Sequence, residues 1–378
     1  MGMKWTEEQS KVITLRDRNI LVSAAAGSGK TAVLVQRILS KIMDPDRPVD
    51  IDRLLIMTFT RAAAGEMKER ISNSIDQALY ENPDNEHLQR QAALIHNAQI
   101  TTIDGFCSYI IRNDFHMVEL DPGYRTAEEG ELKLLQEDVM KDLLEEAYEK
   151  ADPKFLSLVE CYASGKSDDE IRDMVYKLYQ AAMSHPYPEE WLEECMEVYR
   201  VQTIEELRET SWIQLLWETL DEKLDQAEAL TESARKICNE PDGPYFYDEA
   251  LVDDLNFWRE VRRCRENKDY DKVADILSGH TFAKLSAKRD SSIDPVKKEQ
   301  AKELRDEEKE ICKDLSTKFF NQKEEILLEL IACAREPLEG LVELTLQFKE
   351  AFSSKKREKN LLDFTDMEHF ALQILMTK

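Results

Sequence analysis

A run of small residues, Ser23-Ala24-Ala25-Ala26-Gly27-Ser28-Gly29, leads into Lys30-Thr31 and then Ala32, Val33, Leu34, Val35 and Ile38. This is the make-up of a loop that grips a polyphosphate. Several backbone N–H groups must converge on the phosphates, so the loop has to wrap without Cβ clashes, which Gly27 and Gly29 allow. Lys30 then sets a point charge on the β- and γ-phosphates, and Thr31 offers a hydroxyl to Mg2+. Ala24 stands where the usual G-x-x-x-x-G-K-[ST] pattern opens with glycine, so small size is kept there and glycine is not. Ala24, Ala25, Ala26, Gly27, Ser28, Gly29, Lys30 and Thr31 are therefore the candidate nucleotide residues. Gln9, shortly before them, is a candidate adenine reader, because an amide both donates and accepts.

Such a loop needs a strand ahead of it and a helix behind it. Asn19-Ile20-Leu21-Val22 reads as the strand, Leu54-Leu55-Ile56-Met57 as a second and Ala98-Gln99-Ile100-Thr101-Thr102 as a third, the first two as buried parallel strands. Strands separated by helical segments predict an α/β sheet with crossovers over residues 1–125. From about residue 126 the pattern turns to long amphipathic helix, as over Glu128 to Lys150, where Leu132, Leu135, Val139, Leu143 and Ala147 recur at helical spacing. Pro and Gly interrupt it at Ala151-Asp152-Pro153, Ser184-His185-Pro186-Tyr187-Pro188 and Asn239-Glu240-Pro241-Asp242-Gly243-Pro244.

The chain has 378 residues, enough for two domains or one domain with a large insertion. No apolar run is long enough to span a bilayer and the N-terminus lacks a secretory layout, so a soluble, cytosolic protein without a membrane partner is expected. Seven widely spaced cysteines, none in a C-x-x-C pair, speak against a zinc or iron–sulfur site or a disulfide framework and are expected to be buried thiols. The net charge of −26 is unfavourable for a phosphate-binding surface, yet it is unevenly spread. Residues 1–125 carry 15 basic and 17 acidic side chains, so nearly all the excess acid lies in residues 126–378.

Four segments in order carry a family resemblance: Trp5-Thr6-Glu7-Glu8-Gln9, the phosphate loop, Met57-Thr58-Phe59-Thr60-Arg61-Ala62-Ala63-Ala64-Gly65-Glu66, and Thr101-Thr102-Ile103-Asp104-Gly105-Phe106-Cys107. Together they resemble the start of a UvrD/PcrA-type superfamily 1 DNA helicase. The wording of residues 101–112 and 121–135, and later Leu361-Leu362-Asp363-Phe364-Thr365-Asp366-Met367, looks most like the AddA-type helicase–nucleases of the AddAB (RexAB) double-strand-break repair complexes. The likeness is strong over residues 3–135 and 360–375 and is one of helical texture between them.

The resemblance implies a P-loop RecA-like parallel sheet over residues 1–125 (domain 1A, in part), an all-helical insertion of the 1B kind over 126–360, and a return segment over 361–378. It implies ATP and Mg2+ as cofactors, with Gln9 at the adenine and Ser28 to Thr31 at the phosphates and metal. Thr58, Phe59, Thr60 and Arg61 would face single-stranded DNA, with Thr102, Asp104, Phe106 and Arg112 as the next strip. Hydroxyls and a guanidinium can position phosphates, and an aromatic ring offers a face to a base. Asp104 stands where many relatives have His. Read alone, Phe59 and Phe106 also fit ordinary core aromatics.

The resemblance also implies a partner protein of the AddB/RexB kind. Past Lys378 it implies an acidic Walker B strand, a second lobe with an arginine finger, and a nuclease domain. The 378 residues by themselves are accordingly expected to bind nucleotide weakly and to hydrolyse little of it. Asp363 or Thr365 reads as an N-cap for the following helix rather than as a metal ligand. Two basic stretches, Lys284 to Lys298 and Lys355-Lys356-Arg357, could touch duplex phosphates ahead of the motor or be solvated loops. A noncatalytic helical scaffold with a nucleotide-dependent docking site is the alternative function. A small-molecule kinase shares the phosphate loop but has no need of the Thr58 to Arg61 and Thr102 to Phe106 strips.

Overall fold

The computed structural model of the protein describes residues 4–25, 27–163 and 167–377. In chain order the first elements are α1 (Glu7–Thr14), α2 (Lys30–Ile42), β1 (Leu55–Thr58), α3 (Arg61–Glu81), α4 (Glu86–Leu94), β2 (Gln99–Thr102), α5 (Ile103–Asp114) and β3 (Arg125–Thr126). Helices α6 (Glu129–Lys150), α7 (Pro153–Tyr162), α8 (Asp169–Met183), α9 (Pro188–Glu197), α10 (Ile204–Glu209), α11 (Ser211–Cys238), α12 (Asp248–Glu266), α13 (Tyr270–Gly279), α14 (Pro295–Asp314) and α15 (Glu324–Glu358) follow. The last elements are β4 (Leu361–Leu362) and α16 (Phe364–Thr377). The chain is thus mostly helical with two small parallel sheets. It divides into two compact units, Met1–Val139 with Ala351–Lys378, and Met140–Glu350.

In the first unit β1 and β2 run parallel, with Leu55 opposite Gln99 and Thr58 opposite Thr102. Ile56 and Ile100 point into a core shared with Val35, Ile38, Leu39 and Ile42 of α2 and Met67, Ile71 and Ile75 of α3. The same parallel strands lead directly into α3 and α5 and so fix where those two helices begin. Two expectations from the sequence need correction. Asn19 to Val22 forms no strand: it pairs with no ladder among the described residues, and Leu21 is 99% exposed. A β-branched run becomes a strand only when a neighbour takes up its backbone groups. Leu54 to Met57 is a strand, shifted by one residue, but it is not buried on both faces, since Leu55 and Met57 are each nearly half exposed.

The second small sheet joins β3 to β4 in parallel, Arg125 opposite Leu361 and Thr126 opposite Leu362. Helix α16 then buries Met367, Ala371 and Ile374 against Cys107, Ile110 and Ile111 of α5. The return segment and α5 form one core.

The second unit is all helical. Its main core gathers Ile213, Trp217, Leu220 and Leu224 of α11, Phe257, Trp258 and Val261 of α12, Val273 and Leu277 of α13, and Ile311 and Cys312 of α14. The breaks read from Pro and Gly are present. Ala151 turns the chain at φ 47°, Asp152 caps α7 through the Lys154 N–H and Pro153 opens the helix; α9 opens on Pro188, and α11 stops at Cys238. Cys107, Cys238, Cys264 and Cys312 are buried thiols, whereas Cys161, Cys195 and Cys333 are exposed, contrary to the expectation of uniform burial. An exposed helix face tolerates a small thiol without packing it.

Charged side chains also enter this core. Arg305 and Asp254, each 1% exposed, pair through Nε to Oδ2 at 2.5 Å and Nη2 to Oδ1 at 3.0 Å. One turn along α14, Glu308 is fully buried and accepts the Trp258 indole N–H at 2.6 Å through Oε1, while its Oε2 has no hydrogen-bond partner among the described residues. Nearby, His280 stacks on Phe257 with ring centroids 3.7 Å apart.

Candidate nucleotide and nucleic-acid site

The phosphate loop reaches α2 through two residues in left-handed conformation, Gly27 at φ 78° and Gly29 at φ 81°. Gly29 is the N-cap of α2 and supplies no side chain, so the N–H groups of the first turn have no cap. Such groups carry the positive end of the helix dipole and accept an anion readily. The cradle is open: a Cβ added at Gly27 would meet nothing within 4 Å, and one at Gly29 only the Gln9 Nε2 at 3.9 Å. Ser28, Lys30 and Thr31 are exposed, and the Lys30 ammonium donates to the Ala24 carbonyl at 2.7 Å, arching across the loop. Ala26 lies outside the described residues. These residues fit a magnesium-bound polyphosphate in donor type and in space.

Gln9 is tied to this loop. Thr6 and Gln9 form a reciprocal capping box at the start of α1, with Gln9 Oε1 accepting the Thr6 N–H at 3.0 Å and Thr6 Oγ1 accepting the Gln9 N–H at 3.2 Å. The Gln9 Nε2 then donates to the Ser28 carbonyl at 3.3 Å. Thr6 is absent from the site residues expected from the sequence, although the T-x-x-Q spacing of a capping box is legible there. It fixes the Gln9 amide beside the phosphate loop.

The second strip sits at the carboxyl ends of β1 and β2, which the parallel register brings to one edge. Phe59 follows β1 and is 94% exposed, so it is not a core aromatic. Thr60 caps α3 by accepting the Ala63 N–H at 3.1 Å, and Thr102 caps α5 by accepting the Gly105 N–H at 3.1 Å. Both hydroxyls therefore keep a proton to donate, although Thr102 is only 9% exposed. The Thr58 hydroxyl already donates to the Thr60 carbonyl at 3.1 Å. Arg61 is exposed at the start of α3, and Arg112 is exposed toward the end of α5.

Asp104 occupies the first turn of α5, where a carboxylate is favoured by the helix dipole. Phe106 differs from Phe59: it is partly buried against the seam between α5 and α16. Gly105 closes the turn tightly, since a Cβ there would come within 2.3 Å of Thr101 Oγ1. Thr58, Phe59, Thr60, Thr102 and Asp104 thus share one sheet edge, whereas Phe106 packs into the core of α5 and α16 and Arg112 lies farther along α5.

The two basic stretches are largely spoken for. Lys297 pairs with Glu240 at 2.6 Å and with Asp242, Lys288 donates to the Tyr245 hydroxyl, and Lys298 lies over the Phe246 ring at 5.8 Å. Only Lys284 and Arg289 of that stretch have no such partner among the described residues. Lys356 is 1% exposed and bonds Asp363 and Asp366, so it cannot reach a phosphate on a duplex. Asp363 is the N-cap of α16: its Oδ1 accepts the Asp366 N–H at 2.7 Å, and its own N–H donates to Asp366 Oδ2 at 3.0 Å. Among the described residues no cluster of His, Cys, Asp and Glu could hold a metal ion, and no helix is long and apolar enough to cross a membrane.

The family model for the UvrD/REP helicase N-terminal domain matches residues 5–378. A protein from Lachnoclostridium phytofermentans, named as a subunit of an ATP-dependent helicase/nuclease, is 48% identical over 376 residues, covering 99% of this chain and 27% of that protein. A protein of the same name from Clostridium perfringens (strain ATCC 13124) is 42% identical over 393 aligned positions, covering all of this chain and 30% of its own length. Another, from Bacillus pumilus, is 36% identical over 371 residues, covering 98% and 30% respectively. The chain spans under a third of the length of the curated relatives it matches.

Proposed function

The chain belongs to the UvrD/REP helicase family, and from that premise we propose that it forms the nucleotide-binding and strand-binding front of an ATP-dependent DNA helicase–nuclease. In this reading residues 1–125 belong to a RecA-like motor domain, residues 126–360 are its helical insertion, and residues 361–378 return to the motor. Helicase and nuclease activity as one subunit of an assembly are proposed for the whole protein, following the names its relatives carry; a role in double-strand-break repair and a partner of the AddB/RexB type are proposed on the resemblance of residues 101–135 and 361–367 to AddA-type helicase–nucleases.

The observation that carries the reading is the uncapped, glycine-hinged start of α2 with Lys30 and Thr31 exposed on it. ATP would be held by the loop N–H groups, with Lys30 at the outer phosphates, Thr31 at Mg2+ and Gln9 at the base. Bound Mg2+ supplies charge neutralisation at the phosphates. Phe59 offers a stacking platform, and the Thr60 hydroxyl and Arg61 guanidinium offer donors to the backbone of a single strand.

Fluorescence anisotropy on the 378-residue chain with a labelled ATP analogue and an oligo-dT strand tests both halves. Lys30→Ala is expected to cost about tenfold or more in nucleotide affinity, the loss of one charge-assisted contact. Phe59→Ala is expected to cost about tenfold in oligonucleotide affinity, since one base–aromatic stack is worth ~1–3 kcal/mol. Strand binding untouched by Phe59→Ala would remove the ledge from the proposal, and nucleotide binding untouched by Lys30→Ala would remove the loop.

A further inference from the structure

Lys356 sits between two cations in sequence and between two anions in space. Its ammonium donates at 2.7 Å to Asp363 and at 2.7 Å to Asp366, lies 4.4 Å from the centroid of the Phe352 ring, and is sealed from water. The two carboxylates in turn hold each other's backbone N–H groups. Between Lys356 and these carboxylates the chain leaves α15, turns through Asn360 at φ 53°, and pairs Leu361 and Leu362 with Arg125 and Thr126 before entering α16. The Arg125 N–H donates to the Asn360 carbonyl at 3.0 Å and the Ala127 N–H to the Leu362 carbonyl at 2.9 Å. One helix end, a turn, a strand and a helix start are thus fixed within eleven residues around a single ammonium.

We propose that Lys356 is a positioning residue for the strand-binding edge, acting by balancing the two buried carboxylates that set the start of α16. The inference rests on the reading that the edge binds single-stranded DNA. The path is short. Asp366 precedes Met367, which packs with Ala371 and Ile374 on Cys107, Ile110 and Ile111 of α5, and Phe106, in the first turn of α5, packs on the same core. The first turn of α5 carries Thr102 as its cap and Asp104 as its acid. Without the ammonium, two carboxylates face each other across one helical turn with little water to screen them. Asp366 is already pushed up from the ordinary carboxylate range by burial, with the Lys356 charge opposing that rise. Repulsion then opens the box, and α16 loses the packing on α5 that fixes Phe106 and the first turn of α5, which follows directly on β2.

The test compares the wild-type chain, Lys356→Met, and a triple variant in which Asp363→Asn and Asp366→Asn accompany Lys356→Met. Oligo-dT affinity at pH 8 is expected to fall about tenfold or more for Lys356→Met, as an unpaired buried charge outweighs the cost of one lost contact. Part of the loss should return at pH 6, as the box takes up a proton. The triple variant, with no net charge in the box, is expected to bind within a few-fold of wild type at both pH values. Affinity for the labelled ATP analogue should stay unchanged throughout, which general unfolding would not allow.

Hydrogen exchange provides a second measurement, with the amides of residues 103–107 expected to exchange faster in Lys356→Met and those of residues 140–350 to be unaltered. Equal strand affinity in Lys356→Met and wild type overturns the inference. So does a triple variant as weak as Lys356→Met at both pH values, including the case where Lys356→Met does not fold. A wild-type chain that binds no strand overturns the ledge reading itself, and the wild-type control separates that failure from the others.

Discussion

Replacing Arg305 with Met should destabilise the helical unit by about 3–5 kcal/mol, because it strands the Asp254 carboxylate in a core that excludes water. Arg305 and Asp254 meet through two hydrogen bonds, at 2.5 and 3.0 Å, with each side chain 1% exposed. The arginine also lies 5.9 Å from the centroid of the Phe282 ring, so its flat face is packed as well as its edge. Removing both charges by adding Asp254→Asn should recover most of the loss, since breaking a buried pair costs far more than replacing it. Urea denaturation followed by tryptophan fluorescence measures this directly, because Trp217 and Trp258 are both in that core. A loss under about 1 kcal/mol for Arg305→Met would mean that water reaches Asp254 on a small rearrangement.

Glu308→Gln should act in the opposite direction and depend on pH. Burial pushes the Glu308 carboxyl up from 4.5 to about 7, with the Asp254 charge adding to the rise and the Trp258 indole and Arg305 opposing it. Between those two pH values the folded chain binds the proton that the unfolded chain has released. Stability from this site is therefore complete below pH 4.5 and declines as pH climbs to about 7. Glutamine mimics the protonated form and keeps an acceptor for the Trp258 N–H. It should stabilise the unit by about 3 kcal/mol at pH 9, the full shift expressed as free energy, and by about half that near pH 5.5. Stability curves for the variant and wild type that stay parallel from pH 5.5 to 9 would contradict the assignment.

What could be read from the sequence was local chemistry. The left-handed glycines of the loop, the breaks before α7, α9 and the turn at residues 245–247, and the capping role of Asp363 follow from a few adjacent residues. The failure at Asn19 to Val22 has the opposite character. Strand formation there depends on a partner ladder, and nothing in the four residues specifies one. The exposure of Phe59 was equally undecidable from composition, since an aromatic after a strand is more often core.

Lys356 is an instructive middle case. Three consecutive cations look like a patch, but successive helix positions point in different directions, so three in a row cannot share one face. Phe348, Phe352 and Lys356 recur at four-residue spacing, and all three are buried. That period placed Lys356 on the apolar side, where it needed a carboxylate. Ala301, Arg305, Glu308 and Cys312 repeat the lesson on α14, whose many charges hide a stripe of buried positions.

The partners found for Lys288 and Lys297 bear on how this chain treats a polyanion. With 60 carboxylates against 36 cations in residues 126–378, and several of those cations already engaged, loose adsorption along the surface is electrostatically penalised. Few condensed counterions can then be shed on contact, so log affinity for a strand should fall only gently with log salt, with a slope of roughly −0.7 for each phosphate actually neutralised. On the proposed reading a strand would be held by stacking on Phe59 and by the donors of the sheet edge, and not by loose adsorption to acidic surface.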